Sequence, residues 1–263
     1  MSPILVSRRS FLTLAGASVI AAGAGLVGLA PKQAQASGRK NYLIAITTTL
    51  APFEFTDENN DFVGIDVELL RGVAKHAGFD YTLQKMTFDS ALVALGVDQV
   101  DGFMGAVFIT DERKKKYDFS DPYYMAYDCC GAKKGGSVKA MEDLAGTTVV
   151  CTAGAHATRW AESIKGKYGF NISYVSSPDL MYQGVLADQF SACFQDYPIL
   201  QYGAQQGNGL EVIAKSDEGS AAPFGFAMGK GKNPELLADF NRGLAAMKTS
   251  GELDAIVNKY LGA

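Results

Sequence analysis

From residue 40 onward, short apolar runs alternate with amphipathic stretches, the pattern of strands feeding helices. Residues 41–46 read as a strand that the Thr47-Thr48-Thr49 run ends. Pro52-Phe53-Glu54-Phe55 reads as extended, and Glu58-Asn59-Asn60-Asp61 as a hairpin turn. Asp66 is placed to cap a helix whose apolar positions Val67, Leu70, Val73, Ala74 and Ala77 fall on one face, with Gly78 closing it. A strand over 81–84 and a helix from Asp89 or Ser90 to Leu95 follow. The apolar run 102–109 has the length of a buried strand. It leaves through Thr110 and a charged turn, 111–116, into an aromatic extended segment ending Pro122-Tyr123-Tyr124.

Beyond Tyr124 the chain turns to small residues and lysine over 131–139. A helical turn over 141–145 and a strand over 147–152 come next, then Gly154 opens a loop into a helix over 156–168. Residues 172–175 read as a strand, and Ser177-Pro178 starts a helix through 186. The strand 191–195 ends at Asp196, and Tyr197-Pro198 begins another helix. Residues 223–228 are extended, and helices over 234–248 and 252–261 close the chain.

An internal echo organises these elements. Residues 95–104 read LGVDQVDGFM, and residues 185–194 read VLADQFSACF. Each is a helix end, an Asp-Gln turn and an apolar strand. The pattern predicts two similar α/β units side by side. Chain order sets one inside the other: residues 40–125 plus 223–263 make a first lobe, residues 126–222 a second, with two hinge crossings between them.

The first 36 residues differ. Ser7-Arg8-Arg9-Ser10-Phe11-Leu12 is a twin-arginine pattern, followed by a Gly- and Ala-diluted apolar stretch over 14–30 and by Ala34-Gln35-Ala36, a small-x-small cleavage site. Residues 1–36 therefore read as a twin-arginine-type signal peptide rather than a retained anchor. Its removal takes Arg8, Arg9 and Lys32 and no acid, leaving 21 of the 24 bases against 28 acids, a formal charge of −7. That balance argues against a nucleic acid or an anionic membrane as partner. Cys129, Cys130, Cys151 and Cys193 match no zinc spacing. Cys151 and Cys193, each in an apolar run, read as buried thiols, and the sequence deduces no pairing among the four.

Candidate chemistry gathers at strand ends. Arg113 follows the carboxyl end of the 102–109 run, where open α/β sheets place ligand groups. Its planar fork suits a carboxylate, although these residues alone fit a solvated charge in a Lys/Arg run equally well. Asp196 stands at the end of the echoing strand. If the lobes face each other, cation and carboxylate oppose across a cleft, and a guest carrying one carboxylate and one ammonium satisfies both. His156, at a helix start, reads as a cleft donor or as a partly exposed helix-end histidine. His76, on a helix flank, reads as structural. Gln195 reads as a side-chain reader or as a strand-end amide.

Five segments then carry a resemblance: Pro52-Phe53-Glu54-Phe55, Gly64-Ile65-Asp66-Val67-Glu68-Leu69-Leu70, Val100-Asp101, Ile109-Thr110-Asp111-Glu112-Arg113 and Asp118-Phe119-Ser120-Asp121-Pro122-Tyr123-Tyr124. Over residues 40–263 the chain resembles the bacterial extracellular solute-binding proteins of family 3, the amino-acid receptors of ABC importers. The resemblance implies a two-lobe α/β fold of the periplasmic-binding-protein type II, with the ligand cleft between the lobes. It implies Arg113 as the clamp on an α-carboxylate, Asp196 as the acceptor of an α-ammonium, Phe88 as the ring covering the ligand, and Thr110 as support for the carboxylate region. The chain also departs from the family pattern. Ala106, Val107 and Phe108 stand where many members have Gly-x-Thr, so a hydroxyl is missing at Phe108. Thr47 replaces a frequent acidic side-chain reader, Leu50 a frequent aromatic, and Gly154-Ala155-His156 a hydroxyl-bearing run.

The expectation is a non-catalytic, monomeric, periplasmic or otherwise extracytoplasmic receptor. It delivers an amino acid or related small carboxylate to a membrane permease and needs no metal or cofactor. The alternatives are a cyclohexadienyl or arogenate dehydratase on the same scaffold, for which His156 is the spare proton carrier, and a ligand-sensing partner of a membrane receptor.

Overall fold

The structure, a computed structural model, describes residues 39–217 and 220–262. The signal-peptide reading of residues 1–36 lies outside the described residues.

In chain order the elements are β1 Asn41–Ile46, β2 Thr49–Leu50, β3 Glu54–Thr56, β4 Phe62–Val63, α1 Ile65–Ala77, β5 Asp80–Lys85, α2 Phe88–Gly96, β6 Gly102–Met104, α3 Asp111–Lys114 and β7 Tyr117–Phe119. Then come β8 Tyr124–Ala126, β9 Asp128–Lys133, a 3-10 turn Met141–Leu144, β10 Thr148–Thr152, α4 His156–Tyr168, β11 Asn171–Val175, α5 Pro178–Leu186, β12 Cys193–Asp196, α6 Tyr197–Gln205 and β13 Leu210–Lys215. The chain closes with β14 Ala222–Phe224, β15 Ala227–Gly229, α7 Pro234–Ser250 and α8 Glu252–Leu261.

Two five-stranded sheets carry the fold, in the orders β5-β1-β6-β15-β7 and β11-β10-β12-β9-β13. They share one plan. The strand next to one edge of each has a parallel neighbour on either side, β5 and β6 around β1, β11 and β12 around β10. An antiparallel strand then joins each, β15 beside β6 and β9 beside β12. The echo in the sequence has a backbone counterpart. Asp98 and Asp188 both turn with positive φ, 59° and 58°, in the loops that lead into the matching strands. Aspartate is one of the few side chains that tolerates this conformation. Each also meets a lysine, Lys232 at 2.8 Å and Lys133 at 2.6 Å. The antiparallel ribbon β8–β14 lies at the crossing between the two lobes, pairing Tyr124 with Phe224 and Ala126 with Ala222.

Each sheet buries both faces under helices. In the first lobe α7 and α1 cover one face, with Phe226 stacked on Phe240 at 4.4 Å. In the second, Trp160 and Phe170 pack on Phe194 at 5.2 and 5.5 Å. The four cysteines are buried and unpaired. Burial pushes the Cys151 and Cys193 thiols up to about 12, which keeps them protonated. No helix among the described residues is long and apolar enough to cross a membrane.

Three expectations need correction. The 102–109 run is a strand only to Met104, because Ala106 adopts φ 49° and aims its N–H at the Asp66 carboxylate, 2.8 Å away. Asp66 therefore does not cap α1; it is wholly buried inside the first turn, and Gly64 takes the cap position. The small-residue segment holds a strand, β9, whose partner β13 also went unread. Cys129-Cys130-Gly131-Ala132 gives no alternation because both faces of β9 are buried.

Gly64 makes a tight turn in this frame. Its φ is 130°, and a Cβ there would stand 2.2 Å from the Phe53 carbonyl oxygen. We expect Gly64→Ala to lower unfolding free energy by about 3 kcal/mol or more, from backbone strain plus overpacking. Urea denaturation checks this, and an unchanged midpoint contradicts it.

Candidate functional site

The site is a cavity of about 410 Å³ between the two sheets' strand ends. Residues of both lobes line it, among them Thr47, Leu50, Phe88, Phe108 and Arg113 from the first and His156, Gln195 and Asp196 from the second. Eight of the nine residues singled out in the sequence thus meet in one space. Thr110 does not line it.

Arg113 sits in the short helix α3, which Thr110 caps by accepting the Arg113 backbone N–H at 3.2 Å. Thr110 thereby orients the arginine's backbone; its hydroxyl is engaged in the cap rather than turned to the cavity. Arg113 is 6% exposed. It donates to the Phe108 carbonyl at 3.1 Å and, across the cleft, to the Gly154 carbonyl at 3.4 Å. Phe88 lies against it at 5.3 Å, so that ring meets the guanidinium as well as lining the cavity. Burial and the nearby Arg159 draw the Arg113 pKa down to about 10, still fully charged at neutral pH. Two neutral carbonyls do not discharge a buried cation.

Asp196 stands at the carboxyl end of β12, 8% exposed. Among the described residues nothing hydrogen-bonds to its carboxylate. Burial, with Asp128 adding like charge, pushes its pKa well above the usual range; Arg113 opposes this. Gln195 is engaged at both ends of its amide, accepting from Asp196 N at 2.8 Å and donating to the Tyr182 hydroxyl at 3.3 Å. Its amide braces Asp196 from within the cavity lining.

Phe108, where a hydroxyl is missing, has another partner. Its ring stacks on His156 of the other lobe with centroids 4.0 Å apart. The exposed pair Glu112–Arg159, 2.9 Å, also bridges the lobes, so the described conformation is closed. Thr47 is buried and donates its hydroxyl to Glu54. Leu50 forms an apolar wall. Sequence reasoning missed Lys85 and Ser177 in the lining, and Asp128 and Glu54 behind it. A lone acid opening or flanking a buried strand was the available signal for the last two. His76 pairs with Glu252 at 2.8 Å, far from the cavity in sequence and contacts. Among the described residues no cluster of His, Cys, Asp or Glu could hold a metal ion.

Fold and site together define a two-lobed α/β binding protein with its ligand cavity between the lobes. The chain matches the bacterial extracellular solute-binding proteins, family 3, over residues 42–263, and it belongs to that family. It is 31% identical over 224 residues to the arginine-binding extracellular protein ArtP of Bacillus subtilis (strain 168), covering 85% of this chain and 87% of that protein. Among solved structures it is similar to an ancestral arginine-binding protein bound to arginine, with TM-score 0.77 and 32% identity over 85% of this chain and 99% of that one. It is also similar to the ancestral amino acid-binding protein AncCDT-1, a precursor of cyclohexadienyl dehydratase, with TM-score 0.75 and 30% identity over 84% of this chain and 95% of that one.

Behind Thr47, Glu54 and Asp66 are both fully buried. Burial and the neighbouring Asp66 hold Glu54 well above the usual carboxylate range. Burial lifts Asp66 to about 6, although the Ala106 N–H and the Tyr123 hydroxyl favour its anion. These acids, like Asp196, bind more protons folded than unfolded. Their stabilisation is complete at acid pH and fades as pH rises through the folded pKa, near 6 for Asp66. Asp118, held below the ordinary range by Lys230, loses its contribution only at lower pH. The ligand-free protein should therefore melt higher at pH of about 5.5 than at about 7.5, and Glu54→Gln should shrink the difference. Calorimetric melting over that window checks this; a flat or opposite wild-type trend contradicts it.

Proposed function

We propose that this chain is an extracytoplasmic receptor that captures an amino acid in the interlobe cavity and presents it to an ABC permease. One observation carries the reading: a buried arginine and a buried, unpartnered aspartate line the same cavity from opposite lobes. An α-carboxylate on Arg113 and an α-ammonium on Asp196 would satisfy both, with Phe88 and Phe108 closing the apolar flanks. The names of the relatives support an amino acid as guest. Residues 40–125 plus 223–263 act as one lobe and 126–222 as the other, with closure about the β8–β14 ribbon. Residues 1–36 direct export by the twin-arginine route. The net charge of −7 on the remainder fits a soluble receptor without a nucleic-acid partner, acting as a monomer without a cofactor.

The side-chain end of the cavity favours a neutral guest. Asp196 is the one acid in its lining, and Lys85 stands there with Thr47, Thr49 and Ser177. An arginine or lysine side chain would meet Lys85 without a carboxylate to answer it. A second reading, a dehydratase, has one observation in its favour, the pairing of His156 in the cavity wall with Asp128 behind it. Consumption of prephenate or arogenate by the purified protein would overturn the receptor reading.

A thermal-shift screen over amino acids and small carboxylates tests the proposal. A guest at a thousand times its Kd adds about 4 kcal/mol, a shift on the order of 10 °C. We expect neutral amino acids such as L-glutamine to shift melting more than L-arginine or L-lysine; the reverse ranking overturns the side-chain assignment. We expect Arg113→Ala to keep the fold and lose about 2–5 kcal/mol of binding, roughly 30-fold or more. Unchanged affinity by calorimetry refutes the clamp.

A further inference from the structure

Asp128 opens β9, is buried, and has its backbone N–H fixed on Ser216 Oγ at 3.1 Å. Both of its carboxylate oxygens lie 3.0 Å from His156 Nδ1. His156 is the first residue of α4, and Phe108 from the other lobe stacks on its ring, 26° from parallel. The imidazole is therefore held both in plane and in rotation. A nitrogen that faces two carboxylate oxygens carries a proton, so Nδ1 is an N–H, and in the neutral ring Nε2 bears the lone pair. No described residue hydrogen-bonds to Nε2, and His156 and Asp196 both line the cavity. On the same helix as His156, Arg159 is paired by Glu112 of the other lobe.

We propose that Asp128 fixes His156 as a hydrogen-bond acceptor, so that His156 Nε2 and the Asp196 carboxylate form one acceptor pole for the ligand's ammonium group. The identity of the guest rests on the receptor reading; the tautomer does not. The arrangement answers the missing hydroxyls. Phe108 and the Gly154-Ala155-His156 run remove hydroxyl groups, and the imidazole supplies an acceptor in the same wall. Asp128 is a positioning residue: it acts on the guest through the ring it holds.

The chain has two histidines, so nitrogen NMR of the imidazoles, assigned with His76→Gln, reads the tautomer in the ligand-free protein. We expect His156 with Nδ1 protonated and Nε2 bare. In Asp128→Ala the ring should relax toward the Nε2–H form that free imidazole side chains prefer, and affinity for L-glutamine as probe should fall about tenfold, ~1.4 kcal/mol. Asp128→Asn, which keeps one acceptor oxygen, should fall between the two and serves if the alanine variant does not fold. A protonated Nε2 in the wild type overturns the proposal, as does a tautomer or an affinity that Asp128→Ala leaves unchanged. If the bare Nε2 is found but no amino acid binds, the receptor reading fails and the Asp128–His156 arrangement stands.

Discussion

Arg113 and Asp196 are buried in one cavity, and neither takes the other as a hydrogen-bond partner. The guanidinium rests on two backbone carbonyls, and nothing described hydrogen-bonds to the carboxylate. Removing charges from water without full pairing is costly. The cost shows in the groups themselves: burial draws the arginine down and drives the aspartate up. A guest with a carboxylate at one end and an ammonium at the other removes both penalties at once, and only when the two lobes are together. On the proposed reading, binding and closure are one equilibrium, because the guest's preference for the closed state is the charge compensation itself.

The repeated sheet plan explains why these two residues can meet. Each lobe ends a central strand at the cleft, β6 in one and β12 in the other; β12 finishes in Asp196, and the chain leaving β6 reaches Arg113 in α3. The other bridges between the lobes are of lesser weight. The Glu112–Arg159 pair is largely solvent-exposed, and exposed pairs contribute about 0–1 kcal/mol. The Phe108–His156 stack is a ring contact of similar order, about 0.5–1.5 kcal/mol. Neither would decide whether the cleft opens if the buried charges were left unanswered.

Much of this was legible in the sequence, for definite reasons. Helix α1 announced itself through one apolar stripe and a terminal Gly78, which takes φ 80°. Helix α4 did so from His156 to Tyr168. The Asp-Gln turns marked the two lobes because both need the same unusual backbone. The misses share a cause. Buried strands such as β9 carry no alternation, so nothing in Cys129-Cys130-Gly131-Ala132 tells a strand from a loop of small residues. Buried polar groups are satisfied by residues distant in the chain. Asp66 meets Ala106, Gln195 meets Tyr182, and Asp128 meets His156. Local spacing predicts caps and strand-end amides at such positions; only the folded chain shows what they hold.

The central claim is that the cavity recognises two opposite charges on one guest. Isothermal calorimetry tests it most directly, comparing the tightest-binding amino acid with two analogues of the same side chain, one lacking the α-ammonium and one lacking the α-carboxylate. The account predicts that each analogue binds at least roughly 100-fold more weakly, since each leaves one buried charge unanswered. An analogue that binds as tightly as the amino acid would contradict it.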